Sequence, residues 1–247
     1  MDEIRFSQAC AKIVGTEHKR QGIGTLQEKT VHAVLKHYYA PDEDMHEIPI
    51  GHYVADIYTG SEIIEIQTAQ LGKMRAKLTC FLADYPVTIV HPIPHHKWLS
   101  WVDVTTGDCS KPRKSPKTGN IYRAFGELYR IKEYLTHENL CLCFPLVDME
   151  EYRLLNGWSH NKKKGSVRFD RIPLSLVDEI RFERREDYLQ LIPYDLKEPF
   201  TAADFGVAVG IDRKTASLVL NILTFLATVI RNGKSGNSYL YTVNNED

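Results

Sequence analysis

The sequence predicts a mixed α/β fold, with helices flanking a mixed central sheet, followed by a small C-terminal module of helices and a hairpin. Apolar residues alternate along the chain between the 3.6-residue spacing of helices and the two-residue spacing of strands. The pattern changes near residue 187, which predicts domains over residues 1–186 and 187–247. Hydrophobic residues make up 43% of the chain and charged residues 26%, a balance typical of globular proteins.

The bulk charge and the cysteines narrow the class of protein. The formal net charge is −1, so a surface that binds nucleic acid must come from local clusters of Lys and Arg. Five cysteines without CxxC spacing fit reduced, mostly buried thiols rather than disulfides or a zinc knuckle. The first residues lack a secretion signal, and no apolar run approaches the roughly 20 residues that span a bilayer. A cytoplasmic chain without a membrane partner is expected.

The first half of the chain predicts the order helix, strands, helix, strands. A helix is expected over about residues 24–39, and short strands joined by tight turns over residues 47–68. An apolar stripe at helical spacing predicts a second helix over about residues 69–85. Strand-like runs follow at residues 87–93 and 97–104. The strands of residues 47–68 are expected to form a meander.

The middle of the chain predicts a helix over about residues 124–135 and two basic loops. An alternating run at residues 167–171 has a charged side that could face a partner. The alternative interpretation of both loops is ordinary solvated surface. The candidate DNA-binding residues of the loops are Lys111, Arg113, Lys114, Lys117, Lys162, Lys163 and Lys164.

The last residues have the order helix, tight turn, helix and hairpin, which is that of a winged helix-turn-helix domain. Thr201 caps a short helix that ends at Gly210, and a long helix is expected over about residues 213–230. In such domains the start of the second helix enters the major groove of DNA. The competing role is protein interaction or homodimer formation. The expected DNA contacts are Arg213, Lys214, Ser217, Arg231 and Lys234.

Two carboxylates lie where a sheet core should be apolar: Asp56 in YVADIY and Glu65 in EIIEIQT. Because side chains alternate along a strand, Glu65 and Gln67 share a face, and a hairpin turn can bring Asp56 beside them. Facing carboxylates repel each other unless a cation lies between them, and hard oxygen ligands suit Mg²⁺. The alternative is a half-exposed sheet face on which Glu65 and Gln67 meet water.

This order of elements and these residues together resemble the PD-(D/E)xK nuclease superfamily, the restriction-endonuclease-like fold. The resemblance covers about residues 22–104 and rests on a helix-borne Glu28, a strand Asp56 and the run Glu65-Ile66-Gln67. Gln67 stands where the superfamily pattern usually has Lys. In some members Gln replaces the lysine, or its ammonium comes from the following helix, where this chain has Lys73 and Lys77.

The resemblance implies a metal-dependent endonuclease that hydrolyses phosphodiester bonds in double-stranded or branched DNA. Asp56, Glu65 and the carbonyl of Ile66 would hold Mg²⁺ or Mn²⁺, which lowers the pKa of a bound water. Glu28 would ligate a second ion or its water, or else only cap its helix. Gln67 would orient the attacking water, and Lys73 or Lys77, if not simply solvated, would stabilise charge on the phosphate. The alternative is a catalytically inactive, nuclease-like DNA-binding regulator.

Two further patterns are weaker. The prolines of HPIPHH fix an extended chain around His91, His95 and His96, and no Cys or Asp lies at ligand spacing nearby, so zinc is not expected. No phosphate-binding loop ending in GK[ST] is present, so nucleotide hydrolysis is not expected. Because the carboxylates and the basic C-terminal helix are far apart in sequence, truncation after about Asp187 is expected to leave the nuclease core intact.

Overall fold

The protein is described by a computed structural model that covers residues 1–20, 30–155 and 167–244. Its centre is an eight-stranded mixed sheet with helices on both faces, and a separate two-stranded sheet lies near the C-terminus. The predicted mixed α/β class, with a large mixed sheet flanked by helices, is confirmed. In the part of the chain that the structure describes, no helix is long and apolar enough to cross a membrane.

The described α-helices are α1 (Glu3–Arg20), α2 (Thr30–Tyr39), α3 (Arg75–Leu82), α4 (Phe125–Leu128), α5 (Ala202–Val209) and α6 (Arg213–Phe225). The described strands are β1 (His46–Ile50), β2 (Tyr53–Tyr58), β3 (Ile63–Ile66), β4 (Val87–Val90), β5 (Ile93–Val102), β6 (Arg113–Lys114), β7 (Leu140–Leu154), β8 (Val167–Phe182), β9 (Val229–Ser235) and β10 (Ser238–Val243). A 3₁₀ helix at Leu71–Met74 precedes α3, and another at Tyr129–Tyr134 follows α4.

Strands that are adjacent in sequence pair at one side of the sheet, and strands that are distant in sequence pair in its middle. β1, β2 and β3 form the expected antiparallel meander, and β3 then pairs in parallel with β4 after the connection through α3. β4 and β5 pair one after the other with the same edge of β7, and β8 pairs with the opposite edge of β7. The long strand β7 therefore forms the centre of the sheet.

Each face of the sheet is covered by its own set of buried side chains. On one face, α1 and α2 contribute Phe6, Val34 and Leu35 to a cluster that includes Ile66 of β3. On the other face, α3 contributes Phe81 to a larger cluster. Burial of these apolar side chains stabilises the sheet by roughly 1.5–3 kcal/mol for each large residue.

The region after residue 187 shares its core with the central sheet. Phe205 of α5 and Val219 of α6 belong to the same buried cluster as Phe125 of α4. Lys132 Nζ also donates a 2.8 Å hydrogen bond to Asn221 Oδ1. Removing the chain after Asp187 would uncover this apolar surface, so the expectation that truncation leaves an intact nuclease core does not fit the packing.

The predicted order of the last elements is confirmed. Thr201 and Asp204 form a capping box at the start of α5, and Gly210 ends that helix with φ of 69°. Asp212 caps α6, because its side chain accepts hydrogen bonds from the backbone N–H groups of Lys214 and Thr215. β9 and β10 then form the antiparallel hairpin.

Some elements differ from the expectation. The elements predicted from the sequence do not include helix α1, in which Phe6, Ala9, Cys10 and Ile13 recur at helical spacing and pack inward. The helix expected over residues 69–85 is shorter: it begins as a 3₁₀ turn after Gln70, whose φ is 60°, and α3 ends at Leu82. The predicted helix over residues 124–135 continues from α4 as a 3₁₀ helix.

Candidate active site

Asp56 and Glu65 lie side by side on neighbouring strands. The antiparallel register of β2 and β3 pairs Ile57 with Ile64. Asp56, which precedes Ile57, therefore lies opposite Glu65, which follows Ile64. The Asp56 N–H donates to Glu65 Oε1 over 3.2 Å, and the Ile66 N–H donates to Asp56 Oδ2 over 2.8 Å. The carboxylates therefore hold both strands together at the point where the backbone ladder ends.

Lys77 completes this pair from the adjacent helix. Its Nζ donates a 2.6 Å hydrogen bond to Glu65 Oε2, and α3 places it there because the helix packs on the sheet through Leu78 and Phe81. Lys73 is instead exposed in the preceding 3₁₀ helix. Of the two lysines expected to assist, the structure brings Lys77 to the carboxylates.

Burial separates the acidities of the two carboxyl groups. The side chain of Glu65 is 3% exposed. Burial and then repulsion by Asp56 raise the pKa of Glu65 to about 7, although Lys77 acts in the opposite direction. For Asp56, burial acts to raise the pKa, but the hydrogen bond and charge of His32 and the Ile66 N–H outweigh it, and its pKa is lowered.

His32 is a residue of this site that sequence reasoning missed. It lies on α2, and its Nε2 is 3.2 Å from Asp56 Oδ2. The signal that could have found it is a polar residue beside Val31 and Val34 on a helix predicted to face the sheet. Glu28, the expected helix-borne ligand, lies outside the described residues.

Gln67 lies at the end of β3, where its contacts are local. Its side-chain amide Nε2 donates to the Ala69 backbone carbonyl over 2.5 Å. The backbone carbonyl oxygen of Gln67 is 2.6 Å from Nδ1 of the buried His91. Among the described hydrogen bonds, the Gln67 side chain makes none with Asp56 or Glu65. The backbone of Gln67 instead contacts His91, which lies between β4 and β5.

The donor set of this site fits a hard divalent cation. Two carboxylates face each other in a buried position, and their repulsion contributes to the raised pKa of Glu65. A cation between them would relieve that repulsion, and carboxylate oxygens are the ligands that Mg²⁺ and Mn²⁺ prefer. Asp56 and Glu65, together with the backbone carbonyl of Ile66, could hold such a cation.

A second charged cluster surrounds Glu151, which is fully buried on β7. Burial alone would raise its pKa, but four cations outweigh that effect and lower the pKa of Glu151 to about 2. Because one carboxylate faces four cations, the cluster carries excess positive charge on strands β5, β7 and β8. The partners of Glu151 are Lys97, Arg153, Arg168 and Arg171, with N to O distances of 3.3, 2.5, 3.5 and 3.1 Å.

One member of the Glu151 cluster, Arg171, also has a small effect on the pKa of His91, which follows β4 directly. Burial lowers the pKa of His91, the hydrogen bond with Gln67 and the charge of Glu127 act in the opposite direction, and the charge of Arg171 adds a smaller lowering effect. His91 in turn contacts Gln67, the residue two positions after Glu65. Sequence reasoning missed this cluster because its cations come from three strands far apart in the chain.

The described basic residues expected to contact DNA lie around β6, at the start of α6 and on the β9–β10 hairpin. Arg113 and Lys114 form the exposed strand β6, and the Lys114 Nζ lies 5.4 Å from the centre of the Trp98 ring. Lys111 and Lys117 flank that strand and are exposed. Lys162, Lys163 and Lys164 lie outside the described residues.

The C-terminal basic residues are exposed on neighbouring elements. Arg213, Lys214 and Ser217 lie at the start of α6, and Arg213 also donates to Ser238 Oγ of the hairpin over 3.2 Å. On the hairpin, Arg231 and Lys234 pack against the ring of Tyr239, with their charged groups 4.4 and 5.0 Å from its centre. These contacts position the cations and leave them accessible.

Comparison with known proteins gives a family. A domain of unknown function, DUF8091, matches residues 29–183. The chain therefore belongs to the DUF8091 family. The DUF8091 match includes the Asp56–Glu65 pair and the Glu151 cluster, and it ends before α5. An uncharacterized protein from Treponema pallidum (strain Nichols) is 26% identical over 185 residues, which are 74% of this chain and 73% of that protein. No solved structure matches the chain.

Proposed function

We propose that this protein is a divalent-metal-dependent nuclease of the PD-(D/E)xK type that hydrolyses phosphodiester bonds in DNA. The observation that carries the proposal is the convergence of Asp56, Glu65 and Lys77. The order of a helix, three antiparallel strands, a helix and a parallel strand supports it, because the superfamily resemblance implies that order. The 2.6 Å contact of Lys77 with Glu65 fits a lysine supplied from the following helix.

The proposed chemistry assigns a role to each residue at the site. Bound Mg²⁺ or Mn²⁺ would polarise the scissile phosphate and make a water more acidic. Asp56 and Glu65 hold negative charge beside the reacting group, and Lys77 provides a positive charge for the developing charge on the phosphate oxygens. His32 keeps Asp56 ionised by donating to its Oδ2.

DNA would be held by positive charge away from the carboxylates. The Glu151 cluster supplies cations on the same sheet, and Glu151 orients Lys97, Arg153 and Arg171 by accepting their hydrogen bonds. We propose that residues 187–244 act as a winged helix-turn-helix, with the exposed start of α6 and the β9–β10 hairpin touching the backbone of the duplex. Arginine and lysine contacts to phosphate bind DNA without reading its sequence.

A plasmid-cleavage assay with Mg²⁺ or Mn²⁺ tests this function. The wild-type chain should nick or linearise supercoiled plasmid, whereas Asp56→Ala and Glu65→Ala should lose cleavage and keep DNA affinity within a few-fold. Asp84→Ala, which removes an exposed carboxylate, is the matched control and should cleave normally. Equal cleavage by wild type and both active-site variants would refute the site.

A catalytically inactive DNA-binding regulator is the second candidate. The observation in its favour is the position of Gln67, whose amide is engaged by Ala69 rather than by either carboxylate. Under this alternative the chain binds DNA with the same affinity in the presence and absence of Mg²⁺ and cleaves none of it. Gel-shift and cleavage assays on one preparation separate the two functions.

A further inference from the structure

His95, His96 and Asp148 form a cluster of side chains of the kinds that can bind a metal ion. In the part of the chain that the structure describes, they are the one group of three His, Cys, Asp or Glu residues whose ligand atoms all lie within 4.8 Å of one another. His95 Nδ1 and His96 Nδ1 lie 2.9 and 3.2 Å from Asp148 Oδ1. The three side chains are each between 16% and 27% exposed, so the cluster is reachable from solvent.

A β-bulge explains how two consecutive histidines face the same carboxylate. Pro94 pairs with Val147 and Lys97 pairs with Met149, so three steps along β5 match two steps along β7. Successive side chains on a regular strand point to opposite faces, whereas the extra residue of a bulge turns one of them back. The irregularity therefore serves to bring His95 and His96 together over Asp148.

The hydrogen bonding of the cluster is crowded in a way that a cation would relieve. Both imidazole Nδ1 atoms and the His96 backbone N–H converge on the same Asp148 oxygen, Oδ1. Without a cation, each ring must carry its proton on Nδ1 to donate there. With a cation, the Nδ1 lone pairs and the carboxylate would turn toward it, and each ring would carry its proton on Nε2.

We propose that His95, His96 and Asp148 bind a divalent transition metal, with Zn²⁺ as the preferred ion, at a site separate from the Asp56–Glu65 pair. Imidazole suits borderline ions such as Zn²⁺ better than it suits Mg²⁺. Ligand atoms at about 2.0–2.2 Å from a tetrahedral Zn²⁺ lie about 3.3–3.5 Å apart, so the N to O distances here need to lengthen by only a few tenths of an ångström.

The surroundings leave room for a further ligand on the metal. Three protein ligands leave a fourth position open, as in catalytic zinc sites. His96 also lines a cavity of about 570 Å³ whose other walls include Trp101, Arg113 and Lys114. The two cations make this cavity suited to an anionic ligand such as phosphate. Two of the basic residues expected to contact DNA, Arg113 and Lys114, therefore lie beside the proposed zinc.

Zinc titration of the tag-free full-length chain tests the proposal. Calorimetry with Zn²⁺ should give one site per chain in the wild type and in Asp56→Ala, which alters only the nuclease site. His95→Ala and Asp148→Asn should lose more than the roughly 10–100-fold in affinity that removal of an outer partner costs. His52→Ala, which removes an exposed histidine elsewhere, is the matched control and should bind as the wild type does.

Cobalt provides a second readout that a loss of folding does not imitate. Co²⁺ bound to two imidazoles, a carboxylate and water should give visible absorption bands in the wild type, which inorganic phosphate should alter if the open position faces the cavity. Circular dichroism melting of each variant establishes that it is folded. Absence of zinc binding by the wild type, or zinc binding that His95→Ala and Asp148→Asn leave unchanged, would overturn the proposal. Neither result depends on plasmid cleavage.

Discussion

Lys77 and Glu65 form an ion pair over 2.6 Å in which the two partners differ sharply in exposure: 3% of the glutamate side chain and 20% of the lysine side chain remain accessible. The lysine thus reaches from solvent to a carboxylate that lies inside the protein. In this geometry the ammonium is the accessible end of the pair, which is where an approaching phosphate would meet it. Asp56 lies on the other side of the same glutamate.

Substitution of Lys77 should impair cleavage, and substitution of Lys73 should not. Lys77→Met removes the positive charge beside Glu65 and should lower the cleavage rate by about 10²–10³-fold, the usual effect of losing one group that stabilises a developing charge. Lys73 is exposed, so Lys73→Met should cleave within a few-fold of the wild type. Single-turnover plasmid cleavage measures both rates. A larger loss in the Lys73 variant would contradict the assignment.

The stability of the wild type should respond to pH through Glu65. Its pKa is raised from 4.5 to about 7 in the folded protein, so the folded state binds more protons than the unfolded chain in this window. The contribution of Glu65 to the free energy of unfolding therefore decreases as pH rises from 4.5 to 7. Glu65→Gln cannot titrate, so it should gain up to about 3 kcal/mol relative to the wild type across this range.

Urea denaturation at pH 5, 6, 7 and 8 measures this difference. The quantity tested is how the difference in the free energy of unfolding between the wild type and Glu65→Gln changes with pH. The constant effect of replacing a carboxylate beside Lys77 cancels in this comparison. Mg²⁺ should reduce the destabilisation of the wild type at pH 8, because an ion that binds only the folded state stabilises it. Parallel pH profiles for the two proteins would mean that Glu65 has an ordinary pKa.

Glu151→Gln should destabilise the protein strongly. The substitution leaves Lys97, Arg153, Arg168 and Arg171 around a neutral side chain, and breaking a buried ion pair by removing one partner costs about 3–5 kcal/mol. Its pKa is lowered from 4.5 to about 2, so the stabilisation is present above pH 4.5 and is lost as pH falls toward 2.

Chemical denaturation at pH 7 checks the size of this effect. Glu150→Gln is the matched control, because Glu150 is the preceding residue on β7 and accepts a hydrogen bond from Tyr152 rather than from the cations. It should change the free energy of unfolding by less than about 1 kcal/mol, the usual range for a partly exposed substitution. Similar losses in both variants would show that the cations do not depend on Glu151.

The start of α6 should contribute to the salt dependence of DNA binding. If Arg213 and Lys214 each neutralise a phosphate, the Arg213→Ala/Lys214→Ala variant should reduce the slope of log K against log salt by about 1.8. Lys197→Ala removes an exposed cation from the same region outside α6 and should change the slope less. Fluorescence anisotropy over a range of salt concentrations measures both slopes. An unchanged slope in the double variant favours protein interaction or dimer formation for this region.

The parts of the site that lie close together in sequence could be predicted, and the parts that depend on distant strands could not. Asp56 and Glu65 are nine residues apart on a hairpin, so strand alternation and one turn are enough to place them together. Lys77 follows on the next helix. His32 needs the packing of α2 on the sheet, a tertiary contact that spacing along the chain does not encode.

Longer separations defeat reasoning from pattern alone. Asp148 reaches the two histidines only because β5 pairs with β7 about 50 residues later, with a bulge that shifts the register by one residue. No local signal announces a bulge at that point. The absence of an Asp near HPIPHH in sequence therefore gave no information about an Asp near it in space.

The packing of α5 and α6 into the same apolar cluster as the central sheet has a consequence for how the chain unfolds and varies. A scanning calorimeter should record no separate heat-absorption peak for α5 and α6, since these helices have no interior apart from the cluster that they share with the sheet. The DUF8091 match ends at residue 183, before these helices. A relative that consisted of the matched region alone would have to cover Phe125, Leu128 and Ile131 with another segment or with a neighbouring molecule. Helices α5 and α6 are therefore not an independent module that could be replaced without changing the core.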